Sequence, residues 1–216
     1  MKINNKETYW SRFVEDYEDR QEYVAGKDLI QAVRERIRSE NNLQHVLELG
    51  CGTGLFTEDL SLKATSVTAT DFSDEMIAKA LEIRKTLLNV SFSKEDAMQL
   101  SFRDQCFNSV FMANLIHIIA DPGKVIAESR RVLKPGGRII ITSFAIDAMG
   151  FLNKIKMASR YIKTFGKVTE DARRIKTSPK AVEQLLFRNN FRKLKSELLG
   201  TVTKSMYIVA LKDTEL

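Results

Sequence analysis

The densest chemistry in the chain lies in Val46-Leu47-Glu48-Leu49-Gly50-Cys51-Gly52-Thr53-Gly54, where a carboxylate stands two residues ahead of three alternating glycines. Glycines let a backbone pass close under a flat or extended ligand, where a Cβ would collide. A dinucleotide fingerprint G-x-G-x-x-G counted from Gly50 would need its last glycine where Leu55 stands, and no Gly-Lys-Ser/Thr follows for a Walker loop. Asp71 comes about 20 residues later, where an acidic side chain can accept both ribose hydroxyls of a nucleoside. It could equally serve as a cap or first-turn charge for the helix of Ser73-Asp74-Glu75-Met76. Asp96 holds the corresponding place further on, as an acceptor for an exocyclic amine or as a turn carboxylate. Of the two histidines, His117 has a pKa range suited to general-base work, although it could also be structural.

The elements around these residues alternate. Residues 7–38 read as helical, with apolar positions at helical spacing up to Ile37. LQHVLELG is too short and too apolar for a helix and is cut off by glycine, so it reads as a buried strand. TEDLSLKA then reads as helix, SVTATD as strand, SDEMIAKALEIRKTL as a helix capped by Ser73, and VSFSKED and CFNSVFMAN as strands. DPGKVIAESRRVLK reads as helix and GGRIIITSF as strand. Alternation of helices with strands apolar throughout is the mark of a parallel sheet covered on both faces. Near the end, FLNKIKMASRYIKTFGK reads as a basic amphipathic helix, and Ser178-Pro179 opens another with proline at its first position. The segments around RKLKSELL and TKSMYIVALK lie too close for a parallel return, so they predict an antiparallel pair.

Composition narrows the class. The chain is 44% hydrophobic and 29% charged over 216 residues, enough for one domain with a real core. No apolar run reaches the roughly 18 residues of a membrane span, and MKINNKETYW is unlike a signal peptide, so a cytoplasmic location is expected. Cys51 and Cys106 offer neither a disulfide framework nor metal-ligand spacing. The net charge of +6 is uneven: residues 151–216 hold 15 Lys and Arg against 6 Asp and Glu. This suits an anionic partner or acceptor, or simply a solvated basic face.

Taken together, VLELGCGTG, TATDFSDEM, KEDAMQLSF, FNSVFMANLIHIIADP and RVLKPGGRIIIT resemble the class I S-adenosylmethionine-dependent methyltransferases. They are most similar to the group of ubiquinone/menaquinone-biosynthesis C-methyltransferases and small-molecule methyltransferases (methyltransferase type 11-like). The resemblance covers roughly residues 9–145. It implies an α/β doubly wound, seven-stranded, mostly parallel sheet with its last strand antiparallel. It also implies S-adenosylmethionine as cofactor and S-adenosylhomocysteine as product. Carried over by position, it sets Glu48 and the loop of Gly50, Cys51, Gly52, Thr53 and Gly54 against the methionine end. Asp71 then holds the ribose, Phe72 and Met76 flank the adenine, and Asp96 with Ala97 and Met98 reads its amine and edge. Asn114 lines the methyl-transfer face, and His117 is the histidine near it. Tyr17, in YWSRFVEDYED, closes over the cofactor or packs as an ordinary aromatic. The chain then divides as one domain, residues 1–216. Residues 1–40 form a helical cap, 41–145 the cofactor-binding core, 146–178 a lid or substrate segment, and 179–216 a closing helix and β-hairpin.

The acceptor expected is a small or lipid-like molecule, anionic if the basic third meets it. No Asn/Asp-Pro-Pro-Tyr/Phe follows the fourth strand, which argues against methylation of exocyclic base amines or glutamine amides. Neither cysteine follows proline, as a cytosine C5 nucleophile would. An RNA methyltransferase is the alternative, but the basic third lacks an aromatic-interleaved platform, so nucleic acid is not the expected partner. A cofactor-binding regulator without catalysis is a third reading. On a helical wheel of residues 151–167, Phe151, Ile155, Ala158, Ile162 and Phe165 share one side, and Lys156, Arg160, Lys163 and Lys167 the other. This predicts a lid that lays its apolar side over the acceptor pocket, or a helix that also contacts an anionic membrane.

Overall fold

The computed structural model describes residues 7–166 and 178–213. Two short helical pieces, α1 (Glu7–Ser11) and a 3-10 turn at Val14–Asp16, lead into α2 (Tyr17–Ala25) and α3 (Lys27–Arg38). The helical stretch expected over 7–38 is therefore broken into pieces. At Gly26 φ is +89°, and its N–H closes α2 on the Glu22 carbonyl while its own carbonyl starts α3. The core alternates as β1 (Gln44–Leu49), α4 (Thr57–Ser61), β2 (Ala64–Asp71), α5 (Asp74–Ile83), β3 (Val90–Lys94), β4 (Phe107–Ala113), α6 (Pro122–Val132) and β5 (Leu133–Phe144). A basic helix α7 (Phe151–Phe165), then α8 (Pro179–Arg188), β6 (Phe191–Leu199) and β7 (Ser205–Lys212) complete it.

The helix starts follow local chemistry. The Ser73 hydroxyl accepts the Met76 N–H at 3.2 Å, the Asp121 carboxylate the Lys124 N–H at 3.0 Å, and the Ser178 hydroxyl the Ala181 N–H at 3.2 Å. Several ends fall earlier than expected, α5 at Ile83 instead of Leu87 and α8 at Arg188 instead of Asn190 among them. α4 stops at Ser61 instead of reaching Ala64, which already belongs to β2. α6 stops at Val132 because Pro135 disfavours helical backbone just before it, and Leu133 pairs with Phe107 in the sheet. At the end of α8, Asn190 adopts the left-handed conformation (φ 55°) expected of a helix C-cap residue.

The seven strands lie in the order β3-β2-β1-β4-β5-β7-β6. β1 runs parallel to both β2 and β4, and β2–β3 and β4–β5 are also parallel. β7 is antiparallel to β5 and β6, as the short connection requires. Successive strand residues face opposite layers. Val46, Val67, Phe111, Ile140 and Tyr207 meet α3, α4, α5 and α7 on one face. Leu47, Val110, Met112, Ile139 and Ile208 meet α6 and α8 on the other. Chain order reverses between β1 and β4, and the crevice beyond the carboxyl ends of those strands is where such sheets bind ligands.

Candidate active site

The glycine loop leaves β1 at that switch point. Glu48, 2% exposed, ends the strand's polar content, and its carboxylate accepts the Thr57 hydroxyl of α4 at 2.6 Å. Burial dominates its chemistry and pushes the carboxyl up to about 7; the charge of Asp71 adds to this, while the Thr57 bond opposes it. The loop is pinned by Cys51 N–H to the Thr70 carbonyl (2.9 Å) and Gly54 N–H to the Cys51 carbonyl (2.9 Å). Gly50, Gly52 and Gly54 have φ of 69°, 57° and 88°, a run that only glycine adopts without strain. Burial, then the charges of Glu48 and Asp71, push the Cys51 thiol up, so it stays protonated.

Asp71 ends β2 and faces the loop. One carboxylate oxygen accepts the Gly52 N–H at 2.9 Å, the other the Ser73 N–H at 3.0 Å. Burial raises its pKa against those backbone bonds. The cap of α5 is Ser73 itself, so Asp71 is left to hold the loop. Among the described residues neither Glu48 nor Asp71 is in an ion pair.

Two side chains roof the loop. A Cβ on Gly52 would lie 3.0 Å from Cε1 of Tyr17, and one on Gly50 would lie 3.0 Å from Cδ1 of Leu115. Tyr17 accepts the Gln21 side-chain N–H at 3.0 Å, and burial holds its phenol protonated well above its usual range. A latch fixes the roof. Thr53 donates to Glu18 at 2.9 Å, Arg84 pairs with the same Glu18, and the Arg84 Nε donates to the Gly54 carbonyl at 3.2 Å.

Residues 47–141 match the family model described as a methyltransferase domain. Over that stretch the chain is similar to methyltransferase domains. Over 126 residues it is 35% identical to a phosphatidylethanolamine N-methyltransferase of Cereibacter sphaeroides, covering 56% of this chain and 61% of that protein. Over 122 residues it is 33% identical to a ubiquinone/menaquinone biosynthesis C-methyltransferase of Zymomonas mobilis, covering 55% and 50%. The chain thus spans about half to three fifths of the length of these curated relatives. In solved structures the fold is similar to an S-adenosylmethionine-dependent methyltransferase from Aquifex aeolicus, with TM-score 0.69, 19% identity and 94% and 98% of the two chains covered. It is also similar to the complex of the Haloferax volcanii Trm112 methyltransferase activator with a methyltransferase, with TM-score 0.73, 16% identity and coverage of 94% and 97%.

The site suits S-adenosylmethionine, the cofactor that the resemblance implies. Two desolvated carboxylates without ion-pair partners stand at the heads of β1 and β2, matched to a ligand carrying two positive groups and a ribose diol. The covers over the glycine loop are side-chain ends, which can give way. The Asp96 carboxylate accepts the Met98 N–H at 2.8 Å within a tight bridge to Gln99, a turn bond that still leaves lone pairs. Ala97 is buried, Met98 half-buried, Met76 buried under α5, and Phe72 lies half-buried with the Lys94 ammonium 5.8 Å from its ring. Asn114 follows β4 with φ 53°, its N–H bonded to the Thr142 carbonyl at 2.9 Å. His117 lies two residues beyond Leu115 and packs against the end of β5. Its Nδ1 is 3.0 Å from the Ser143 hydroxyl, its ring meets Phe144 edge-on, and burial lowers its pKa to about 4.

Sequence reasoning missed Leu115, Glu18 and Arg84. Leu115 reads as one more apolar residue in NLIHII, and Glu18 and Arg84 are surface charges far apart in the chain. Only the fold brings the last two to Thr53 and Gly54.

Proposed function

We propose that the chain transfers a methyl group from S-adenosylmethionine to a small-molecule or lipid-like acceptor. The observation that carries this reading is the assembly at the switch point, in which Asp71 and Glu48 bracket a positive-φ glycine loop. Relatives named for phosphatidylethanolamine N-methylation and for C-methylation in ubiquinone/menaquinone biosynthesis support the acceptor class. When bound, the cofactor supplies a sulfonium methyl already activated for in-line displacement. What remains for the protein is alignment and exclusion of water.

In this reading Glu48 and the loop of Gly50, Cys51, Gly52, Thr53 and Gly54 receive the methionine end. Asp71 accepts the ribose hydroxyls on its remaining lone pairs, Phe72 and Met76 flank the adenine, and Asp96, Ala97 and Met98 read its edge. Tyr17 closes from above and Asn114 lines the face where transfer occurs. His117 is neutral at physiological pH and takes a proton from acceptors that begin protonated. A lipid-like acceptor would arrive from a membrane surface, and the basic α7 is the element suited to meet one.

Calorimetry with S-adenosylhomocysteine tests the site. Gly52→Val puts a branched side chain against Tyr17 and should abolish binding in a folded protein, while Asp71→Ala should weaken it at least about tenfold. Unchanged affinity in a folded Gly52→Val variant would remove the site from the loop. A methyl-release screen over quinones, lipids, thiols, amines and RNA then identifies the acceptor.

A further inference from the structure

The apolar side of α7 is not the side the fold covers. Its covered stripe is the buried Met157 and Phe165 with the half-buried Tyr161, and Phe165 packs against Trp10, Phe13 and Tyr17. The Tyr9 hydroxyl donates to the Phe165 carbonyl at 2.6 Å and Arg20 to the Thr164 carbonyl at 2.9 Å, fixing the helix's rotation. Phe151, Leu152, Ile155 and Ile162 consequently point outward, 75%, 78%, 52% and 52% exposed. That corrects the expectation that Phe151, Ile155, Ala158 and Ile162 lie against a pocket; Phe165 alone of that set is buried, and Lys167 lies outside the described residues.

Beside this apolar strip runs a basic one. Lys156 and Lys163 are exposed, and the Arg160 guanidinium sits 5.6 Å from the Tyr23 ring. Lys156 and Arg160 also line a groove of about 190 Å³, closed by Thr201 and Thr203 of the β6–β7 turn and by Lys27 and Asp28 at the start of α3. No side chain caps that start, so its first N–H groups add positive potential to the groove. Lys27 is paired with Glu22 at 2.9 Å, whereas Lys156 and Arg160 form no ion pair with any described residue. Asp28 is the one acid among the lining residues.

We propose that this groove is a binding site for the phosphate headgroup of an anionic phospholipid, and that the outer face of α7 seats on the bilayer around it. Phe151, Leu152, Ile155 and Ile162 enter the acyl boundary, while Lys156, Arg160 and Lys163 meet the anionic surface, the division of labour that interfacial helices use. A second copy of the chain is the poorer occupant, because a two-fold contact there sets the same basic strip against itself. The proposal does not rest on methyl transfer.

The full chain is sedimented with phosphatidylcholine vesicles, with and without phosphatidylglycerol, at low and high salt. Wild type should pellet only with phosphatidylglycerol at low salt. Leu152→Ser with Ile155→Ser, and separately Lys156→Glu with Arg160→Glu, should each reduce partitioning at least about tenfold at unchanged Tm. Lys85→Glu, an equal charge reversal on an exposed turn, should leave it unaltered. A wild type that stays in the supernatant overturns the proposal, as does retention of binding by either double variant. Two further outcomes also overturn it: inorganic phosphate titrating the groove of a protein that ignores vesicles, and a dimer that Leu152→Ser with Ile155→Ser dissociates while vesicles are ignored.

Discussion

Glu48 carries the cost of the site most directly. Its folded-state pKa of about 7 stands above the ordinary glutamate value of 4.5. The unfolded chain therefore holds fewer protons than the folded one between those limits, and stability falls as pH rises through that window, by on the order of 3 kcal/mol. His117 acts in the opposite sense. Its folded pKa of about 4 lies below 6.5, so stability falls as pH drops through that range. Glu48→Gln isolates the first term: urea midpoints of this variant should exceed those of wild type increasingly from about pH 5 to 7, and a constant difference would contradict the desolvated carboxylate. For His117, titration lies too low to shape the neutral range. His117→Gln should lower kcat by a factor that stays constant between about pH 6 and 8, and a factor that changes through about 6.5 would place the imidazole in water instead. Glu48, Gly52 and Asp71 were readable from the chain because two short strands, β1 and β2, deliver them at fixed spacing. Leu115 and the Glu18–Arg84 latch were not, since their part exists only after α2 folds back over the loop.

At the level of elements, the helices most readily read were those that begin with a side-chain cap or a proline: α5, α6 and α8. The hardest stretch was 7–38, where apolar spacing continues on both sides of Gly26 and hides the break. That glycine has φ +89° and ψ 141°, and nothing lies within 4 Å of where its Cβ would be. Gly26→Ala should therefore act through the backbone alone, destabilising by about 1–3 kcal/mol with no local repacking. Equilibrium denaturation checks this, and a neutral result would mean that α2 and α3 can join in a continuous helix. For α7 the sequence defined the faces, but the expectation that the apolar one turns inward was overturned. The orientation depends on Phe165 finding the aromatic cluster of the cap, a contact more than 140 residues away.

For the molecule as a whole, strand–helix alternation disclosed the parallel sheet, and the short β6–β7 link disclosed the antiparallel pair. The seven-stranded count came from the family resemblance, and the strand order was not legible, because periodicity does not say which strands neighbour one another. The N-terminal cap is continuous with the core. Trp10, the single tryptophan, packs with Phe13 and Phe165 against the residues that cover the sheet. Unfolding followed by Trp10 fluorescence and by far-ultraviolet circular dichroism should therefore coincide. A fluorescence transition at lower denaturant would make the cap a separately melting unit.

β7 is synthesised after both strands it separates. Until Ser205–Lys212 has emerged from the ribosome, β5 and β6 have no partner between them and the β5 edge lies open. Tyr207, Ile208 and Ala210, each fully buried in the finished sheet, are supplied only by this late segment. A nascent chain stalled before it presents an apolar, unpaired edge of the kind that aggregates. Production of this protein is therefore exposed to slow translation near the β6–β7 turn, and a truncation there should be recovered from cells as insoluble material.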